Sequence, residues 1–459
     1  MVFLMENILL VYIVILFSFI FIGCLSSFIL FNKQQVFKLF YTDSRIESHD
    51  EIPVSLLVPA YNEEVTIIQT INSLSHLDYK QFEIIVINDG SRDGTLKKIM
   101  EHYQLTKVYK PMRKQIETKE VVGVYQGKIG AVELLVIDKI NGGKADTLNM
   151  GINYSKYPIF ITIDADSILE VNSLKNIISP FMENRKTVAV GGNIKIANNL
   201  FIRNGRILEK ATPKGYVVCH QISEYIRTFL TTRMMWDLIN MNLIISGAFG
   251  AFNKRVVIDV GGYKCDTIGE DMELVMRIHK KFLKGKEEYY IKYAPNAYCY
   301  TQAPDRLKGL KIQRRRWQMG LIQSLITHKE LFLSWNWFLA KMYYFLFELI
   351  TPIVEVLGLA ISILGVLFGF LDFDYIIRLY LLILAYNFVV TIFAIFLELY
   401  SFKEETNGKI ILKLIVLSTV ENIGYRQLVT LYRFTAFINY KKNKHQWGSI
   451  QRKSHNELV

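Results

Sequence analysis

The stretch Ile161-Thr162-Ile163-Asp164-Ala165-Asp166 joins an apolar run to two carboxylates. Its aliphatic and β-branched residues predict a buried strand, and both aspartates follow at the C-terminal end of that strand. Open parallel sheets bind their ligands outside the carboxyl ends of the strands. Two aspartates separated by one residue can hold a hard divalent cation, and such a cation can hold a diphosphate. Acidic pairs are also common in solvated turns, so the meaning of this pair depends on what accompanies it.

The segments that precede this stretch alternate between strand and helix signals. Apolar runs at 54–58 and 82–87 predict strands, and polar residues at 62–64 and 93–95 predict the starts of two helices. Alternation of this kind is typical of a parallel sheet with helices on both faces. The predicted fold class is therefore α/β with a mostly parallel sheet.

Three polar residues fall at the predicted ends of the first two strands. Asn62 and Glu63 follow the first strand, and Asp89 follows the second. At such positions, carboxylates can accept hydrogen bonds from a nucleotide base or from ribose hydroxyls. Asp89 has a second interpretation, because an aspartate before Gly90 is also a common turn residue.

Two further motifs stand at predicted helix starts. Gly142-Gly143-Lys144 places two glycines and a cation before a helix, where backbone N–H groups can approach an anion. Its spacing is not that of a P-loop. Gly269-Glu270-Asp271 precedes another helix, and a carboxylate there can deprotonate a hydroxyl group. The alternatives are an ordinary helix start for the first motif and a helix N-cap for the second.

The stretch Gln313-Arg314-Arg315-Arg316-Trp317 lies in a basic, amphipathic helix just before a long apolar block. Arginine can grip a diphosphate with two parallel hydrogen bonds, and an indole can stack on the face of a sugar. The alternative is anchoring at a membrane surface, which would be enough to explain Arg314 and Arg315.

Apolar residues are concentrated in two blocks of this chain of 459 residues, whose hydrophobic fraction is 51%. Residues 8–31 carry no charge and are long enough to span a bilayer, so residues 1–33 are predicted to form an uncleaved N-terminal anchor. Lys33 and Lys38 follow this span. The positive-inside rule therefore places the N-terminus outside and the next domain in the cytoplasm.

The second block, residues 331–440, is predicted to form transmembrane and interfacial helices. Spans are expected at 342–371 and 375–397. The segment 410–437 contains too many charges for a simple span, so it predicts two interfacial amphipathic helices or a re-entrant pair.

Two carboxylates and a basic tail complete the predicted topology. Glu348 and Glu355 lie in the first span of the second block, where they either line a polar path, or sit near a lipid interface or pair with a neighbour. The tail at 441–459 is basic and belongs in the cytoplasm. We therefore expect three spans, a multi-pass protein in the cell membrane and a cytoplasmic catalytic domain.

The formal net charge of +12 does not require a nucleic acid partner. Lysines next to the membrane and the arginines at 314–316 account for much of the excess through binding of anionic lipid and phosphate. We therefore expect no nucleic acid partner. The four cysteines show no metal-ligand spacing, and reduced thiols are expected for those in the cytoplasmic part.

Six motifs occur along the chain in a characteristic order: Pro59-Ala60-Tyr61-Asn62-Glu63-Glu64, Asp89-Gly90-Ser91, Gly142-Gly143-Lys144, Asp164-Ala165-Asp166, Gly269-Glu270-Asp271 and Gln313-Arg314-Arg315-Arg316-Trp317. In this combination they resemble the processive membrane enzymes of glycosyltransferase family 2, which include cellulose, chitin, hyaluronan and poly-N-acetylglucosamine synthases. The Gly-Gly-Lys form and the stretch at 246–250 are most similar to the bacterial poly-N-acetylglucosamine type.

The resemblance implies a nucleotide-sugar-binding domain of the GT-A type over residues 50–330 and a role for each motif. Five polar residues would hold the nucleotide sugar: Asn62, Glu63, Asp89, Lys144 and Asp164. The cofactor would be Mg²⁺ or Mn²⁺, bound by Asp166 with Asp164 on the nucleotide side. Asp271 would be the catalytic base. Four residues would bind the diphosphate and the acceptor: Glu270, Gln313, Arg316 and Trp317.

The implied reaction is inverting transfer of a sugar, N-acetylglucosamine, from a UDP-sugar donor to a growing β-linked polysaccharide, with a carbohydrate or lipid-linked acceptor. Cellulose-type synthases build a polymer channel from more than three spans. Either a small membrane subunit completes the path, or the enzyme adds a single sugar and makes a glycolipid. The intact metal pair, base and tryptophan motif disfavour a third alternative, an inactive scaffold that only binds sugar nucleotides.

Overall fold

The computed structural model describes residues 2–41, 51–198, 200–203, 205–211, 215–333, 337–402, 408–438 and 440. The predicted basic tail at 441–459 lies outside the described residues. The described residues form two compact units. The sheet unit is built from residues within 41–211 and 242–303, and the helical unit from residues within 1–40, 212–241 and 304–449.

The α-helices are, in chain order, α1 (Val2–Tyr41), α2 (Ile67–Ser75), α3 (Thr95–Tyr103), α4 (Lys144–Tyr154), α5 (Ser173–Glu183), α6 (Tyr216–Arg227), α7 (Arg233–Leu238), α8 (Lys254–Asp259), α9 (Glu270–Gly285), α10 (Leu307–Thr327), α11 (Phe338–Lys341), α12 (Thr351–Leu367), α13 (Phe373–Phe402), α14 (Gly408–Val420) and α15 (Tyr425–Ile438). Two π-helical segments lie between them, at Thr228–Thr232 and Met342–Leu349, together with a 3₁₀ segment at Lys329–Leu333.

The strands are, in chain order, β1 (Val54–Ala60), β2 (Phe82–Asn88), β3 (Thr106–Lys107), β4 (Val121–Ile129), β5 (Val132–Lys139), β6 (Ile159–Ile163), β7 (Ile168–Leu169), β8 (Thr187–Ile196), β9 (Leu200–Arg203), β10 (Arg206–Lys210), β11 (Phe249–Asn253) and β12 (Tyr290–Thr301).

Within the described residues, the sheet unit has one ten-stranded sheet in the order β3-β4-β5-β2-β1-β6-β11-β8-β12-β7. The strands β5, β2, β1 and β6 are mutually parallel. Strand β11 runs antiparallel to both β6 and β8, and β4 runs antiparallel to β5. The α/β class with helices on both sides is confirmed. The sheet is mixed rather than mostly parallel, because β4 and β11 reverse direction beside the parallel strands.

The parallel strands form because they are nearly continuous aliphatic runs. Every residue of β2 and every residue of β6 is buried. Strands covered on both faces have this composition, and each fully buried Leu, Ile or Val contributes roughly 1.5–3 kcal/mol. Helix α4 supplies apolar cover, since its Leu148 belongs to the same hydrophobic cluster as Leu57, Ile87 and Ile137.

The register of these strands aligns their carboxyl ends at one edge. Ala60, the last residue of β1, pairs with Asn88, the last residue of β2. Asn88 in turn pairs with Asp138 of β5. The loops that carry the predicted polar motifs therefore start side by side at the edge where open sheets bind ligands.

The helical unit contains segments that the sequence placed in a continuous domain over residues 50–330. The described residues within 212–241 and 304–330 belong to the helical unit instead. The reason is packing: α6 contacts α13 and α14, and α10 contacts α15.

Among the described residues, two helices are long and apolar enough to cross a membrane, Leu10–Ile29 and Phe373–Leu399. A third candidate is the pair Phe338–Leu349 and Thr351–Leu367, if its two helices count as one span. This pair is bent by 47°. Pro352 lies at the bend, where it cannot donate a backbone hydrogen bond to the preceding turn.

Both glutamates of the bent pair contact α15. Arg433 Nη2 lies 3.0 Å from Glu348 Oε2, and Arg426 Nη2 lies 3.0 Å from Glu355 Oε1. Thr430 Oγ1 donates to the other oxygen of Glu355 at 2.5 Å. Of the two predicted alternatives, the structure shows that these carboxylates pair with a neighbouring helix. The charged residues of α15, Arg426 and Arg433, therefore contact other helices.

Candidate active site

The loops after β1 and β2 are tied together by hydrogen bonds. Asn62 has a left-handed backbone conformation with φ of 56°, and its Oδ1 accepts from the backbone N of Arg92 at 2.8 Å. The backbone N of Asn62 donates to Ser91 Oγ at 3.0 Å, and that of Glu63 donates to Thr95 Oγ1 at 2.9 Å. The structure therefore brings Asn62 and Glu63 against the loop that follows Asp89.

Both oxygens of the Asp89 carboxylate accept hydrogen bonds from the loop after β5. Oδ1 accepts from Lys139 Nζ at 2.6 Å and from the backbone N of Gly142 at 2.8 Å. Oδ2 accepts from the backbone N of Gly143 at 2.8 Å and from Asn141 Nδ2 at 3.1 Å. In this structure Asp89 therefore shapes the glycine loop. Its predicted contact with uridine stays a prediction.

Lys139 is the buried centre of this arrangement. Its side chain has no exposed surface, and its ammonium group also lies 2.8 Å from Asp146 Oδ1. Because an unpaired buried charge is strongly destabilising, two carboxylates around one lysine keep this charge compensated. Asp146 also explains Gly142, where a Cβ atom would lie 2.6 Å from Oδ1 of that aspartate.

Lys144, the first residue of α4, joins three of the predicted motifs. Its ammonium group lies 2.5 Å from Asp164 Oδ1. Burial lowers the pKa of Lys144, but the neighbouring carboxylates of Asp164, Glu270 and Asp271 outweigh burial, and the pKa is raised. Segments more than 100 residues apart in the sequence thus converge on one cation at the ligand edge of the sheet.

Asp271 lies in the first turn of α9, and the N-cap position is Gly269. Its Oδ1 accepts from the backbone N of Met272 at 2.8 Å, and its Oδ2 accepts from the backbone N of Gly247 at 3.2 Å. The N-cap alternative for Asp271 is therefore wrong, because Gly269 is the N-cap and Asp271 is the second residue of the helix. A carboxylate in the first turn is still favoured by the helix dipole.

Asp164 and Asp166 follow β6 directly, as the sequence predicts. The turn between them is fixed, because Thr70 Oγ1 donates to the carbonyl oxygen of Ala165 at 2.7 Å. Among the described residues, no group of three or more His, Cys, Asp and Glu side chains is arranged to hold a metal ion. The two aspartates nevertheless supply carboxylate oxygens, the donor type that hard divalent cations take, so they fit such an ion chemically.

Gln313, Arg316 and Trp317 lie on α10 of the helical unit. Gln313 is buried and Trp317 is 43% exposed. Arg314 is also buried, and its Nη1 and Nη2 lie 2.7 Å from the two carboxylate oxygens of Glu224. Membrane-surface anchoring is therefore the wrong interpretation of Arg314, because a carboxylate on α6 binds its guanidinium group inside the unit.

The model of the family described as Glycosyl transferase family group 2 matches residues 159–396, which is more than half of the chain. The chain belongs to this family. A second model, described as Glycosyl transferase family 2, matches residues 55–124. These matches confirm that the protein is a glycosyltransferase, and they include the motifs at 62–64, 89–91, 164–166, 269–271 and 313–317.

The glycosyltransferase is similar to curated relatives from staphylococci. It is 29% identical over 348 residues to a poly-beta-1,6-N-acetyl-D-glucosamine synthase of Staphylococcus epidermidis, a match that covers 75% of this chain and 70% of the relative. It is 30% identical over 303 residues to the synthase of the same name from Staphylococcus aureus strain COL, covering 66% of this chain and 62% of the relative. The predicted resemblance to the poly-N-acetylglucosamine type is confirmed.

One solved structure shows the same fold. The mannosyltransferase PcManGT from Pyrobaculum calidifontis, in complex with GDP-Man and Mn²⁺, superposes with a TM-score of 0.51 at 14% identity. The likeness covers 91% of this chain and 95% of that one. At this identity it concerns the fold, and it agrees with the predicted GT-A type domain.

Sequence reasoning did not identify four residues that organise the glycosyltransferase site. Lys139 and Asp146 form the buried charge cluster, Gly247 donates to Asp271, and Glu224 binds Arg314. Lys139 is one of three charged residues in β5 and Asp146 lies two residues after Lys144, so the sequence alone did not mark either as the buried charge. Gly247 lies in the stretch at 246–250 that supports the family resemblance, but neither Gly247 nor Glu224 has a local signal for its partner, because the partners are distant in the sequence.

Proposed function

We propose that this glycosyltransferase transfers N-acetylglucosamine from UDP-N-acetylglucosamine to the end of a growing β-linked polysaccharide. The observation that carries the proposal is the cluster of Lys144 with Asp164, Glu270 and Asp271 at the ligand edge of the parallel strands. Support for the sugar comes from the staphylococcal relatives, whose names state poly-β-1,6-N-acetylglucosamine synthesis.

Asp271 is proposed as the general base. The acceptor hydroxyl gives its proton to Asp271, its oxygen forms a bond to the anomeric carbon, and the bond from that carbon to UDP breaks. Attack opposite the leaving group inverts the anomeric configuration. The backbone N–H of Gly247 holds one oxygen of Asp271 in place. A positioned base of this kind contributes roughly 10²–10⁴ in rate.

Lys144 is proposed to bind the diphosphate of the donor. Its raised pKa keeps the ammonium group charged at neutral pH, so it acts as a fixed positive charge rather than as a base. Positive charge aimed at a departing diphosphate stabilises the transition state more than the ground state. Arg316 on α10 is assigned a similar role toward the diphosphate.

Asp166, with Asp164, is proposed to hold the divalent cation, Mg²⁺ or Mn²⁺. When bound, such an ion neutralises negative charge on the diphosphate. Asn62 and Glu63 are assigned to the uridine, together with Asp89, whose carboxylate also accepts hydrogen bonds from the glycine loop. Glu270, Gln313 and Trp317 are assigned to the acceptor, with the indole stacking on a sugar face.

We propose that the catalytic domain faces the cytoplasm in a multi-pass membrane protein, because Lys33 and Lys38 follow the first span. The described part of the chain offers two candidate spans, or three with the bent pair, which are few for a polymer path. This supports a small membrane subunit as a partner. It equally favours the second candidate function, addition of one sugar to a lipid-linked acceptor.

The decisive experiment is sugar incorporation by the purified full-length protein in lipid nanodiscs. Radiolabelled UDP-N-acetylglucosamine, UDP-glucose and UDP-glucuronic acid are supplied separately, and the products are sized, with the Asp271→Asn protein as the blank. We expect incorporation from UDP-N-acetylglucosamine into material much longer than a disaccharide. A lipid-extractable monosaccharide product would establish the glycolipid function, and incorporation from another donor alone would refute the proposed sugar.

A further inference from the structure

The indole of Trp317 has fixed neighbours on its own unit and an accessible surface. The guanidinium carbon of Arg314 lies 4.6 Å from the centre of the indole ring, and the ring of Tyr225 lies 6.5 Å from it. An arginine over an aromatic ring is attracted by the ring quadrupole and restrains its orientation. At 43% exposure, the remaining surface of the ring is open to a ligand.

Glu224 determines how Arg314 meets this ring. Each terminal nitrogen of Arg314 lies 2.7 Å from one carboxylate oxygen of Glu224, which is a two-point contact. A single hydrogen bond would leave the guanidinium plane free to rotate, whereas two parallel bonds fix it. Because Arg314 is only 4% exposed, water does not compete strongly for these bonds.

The residue after Trp317 is held as well. Arg433 Nε on α15 donates to Gln318 Oε1 at 2.8 Å, and Arg433 Nη2 lies 3.0 Å from Glu348 Oε2. Helix α10 is therefore bound by α6 on one side of Trp317 in the sequence and by α15 on the other. With both contacts in place, the helix has little freedom to rotate about its axis.

We propose that Glu224 is a positioning residue for the acceptor, which acts through Arg314 on the indole of Trp317. This rests on the proposed function, in which Trp317 binds the acceptor sugar. Glu224 itself bonds Arg314, and its carboxylate sets the plane of the guanidinium group against which the indole lies. Without the negative charge of Glu224, the guanidinium group of Arg314 is free to rotate, and the indole of Trp317 that packs against it is less restrained.

The test uses full-length protein in nanodiscs, a soluble β-linked N-acetylglucosamine oligomer as acceptor, and the variants Glu224→Gln and Arg314→Lys. Arg315→Lys is the matched control, because Arg315 is the adjacent arginine and makes no hydrogen bond, ion pair or ring contact within the described residues. We expect Glu224→Gln to raise the KM for the acceptor about tenfold, by the loss of one charged hydrogen bond. UDP affinity should not change.

The two single variants should not add in the double variant, because they remove the same contact. If Glu224→Gln does not insert into nanodiscs, Arg314→Lys tests the inference instead. Lysine keeps the positive charge but lacks the planar guanidinium group, which bonds both oxygens of Glu224 and lies over the indole. An acceptor KM equal to that of the Arg315→Lys control in both variants would overturn the inference. A loss of turnover and of thermal stability at unchanged acceptor KM would also overturn it.

Trp317→Ala separates failure of this inference from failure of the proposed function. If Trp317→Ala leaves the acceptor KM unchanged, the assignment of Trp317 to the acceptor is wrong, and the inference falls with it. If Trp317→Ala raises the KM while Glu224→Gln does not, the proposed function stands and the inference alone is refuted. A rise in both, with additivity lost in the Glu224→Gln, Trp317→Ala double variant, supports both.

Discussion

The ammonium group of Lys144 lies 2.5 Å from Oδ1 of Asp164. This ion pair joins the first residue of α4 to the residue that directly follows β6. It places a permanent cation next to the aspartate that was predicted to face the nucleotide. In the proposed reaction, the negative charge of the donor diphosphate arrives at a site where positive charge is already fixed, so little reorganisation is required when the leaving group departs.

Replacement of this cation should weaken donor binding. Lys144→Met keeps most of the side-chain length and removes the charge. A hydrogen bond to a charged group contributes roughly 1.5–3 kcal/mol, so we expect UDP to bind about ten- to a hundredfold more weakly in isothermal titration calorimetry. The control is Lys156→Met, whose ammonium group lies 2.6 Å from Glu133 at the start of β5. Equal UDP affinity in both variants would exclude Lys144 from the donor site.

Metal removal should abolish transfer reversibly. We expect EDTA to stop sugar incorporation and Mg²⁺ or Mn²⁺ to restore it, because Asp166 and Asp164 are the carboxylates assigned to the cation. Asp166→Asn should lose incorporation to background without recovery at high metal concentration. Its melting temperature should stay near that of the parent, which shows that the fold is retained. Full activity after chelation would contradict the assignment.

Asp271→Asn separates catalysis from helix stability. The amide oxygen of asparagine can still accept from the backbone N of Met272 or Gly247, and Gly269 remains the N-cap. The fold should therefore persist, whereas the general base is lost. We expect turnover at least about a hundredfold lower, with UDP affinity unchanged. Near-normal turnover would show that the base lies elsewhere, with Glu270 as the next candidate.

The strands at the site could be predicted because their signal is local. Apolar runs at 54–58 and 82–87 became β1 and β2, with the same first residues. Strand burial requires only that neighbouring residues be aliphatic, and this is visible in a short window. The ligand edge followed from the same runs, since polar motifs directly after buried strands must lie where those strands end.

Pairings between distant residues could not be predicted in this way. Lys139 binds Asp89 across 50 positions, and Arg314 binds Glu224 across 90. A sequence shows that a charge exists, but only the folded chain selects its partner. The insertion of β11 antiparallel to β6 has the same origin, because strand direction depends on the route of the chain between elements. These contacts give Asp89 a structural role, while its contact with uridine stays a prediction, and they change the interpretation of Arg314 from a membrane anchor to a structural ion pair.

Acid should destabilise the sheet unit through His279. This histidine is fully buried on α9, where Tyr289 Oη lies 2.6 Å from Nδ1 and the carbonyl oxygen of Asn242 lies 2.9 Å from Nε2. Burial lowers the pKa of His279 from 6.5 to about 4. Between these two values the unfolded chain binds a proton that the folded chain does not. The stability that neutral, buried His279 contributes is therefore fully present above pH 6.5 and decreases as the pH falls toward 4.

The full shift corresponds to about 3 kcal/mol of unfolding free energy, at roughly 1.4 kcal/mol per pKa unit. We expect urea unfolding of the full-length protein, followed by Trp fluorescence, to show this loss between pH 6.5 and 4. His279→Gln can still hydrogen-bond Tyr289 but does not titrate, so its stability should depend less on pH in this window. Exposed His76 is the matched control, because His76→Gln should leave the pH dependence of the parent intact. If His279→Gln and the parent lose the same stability on acidification, other groups dominate acid unfolding.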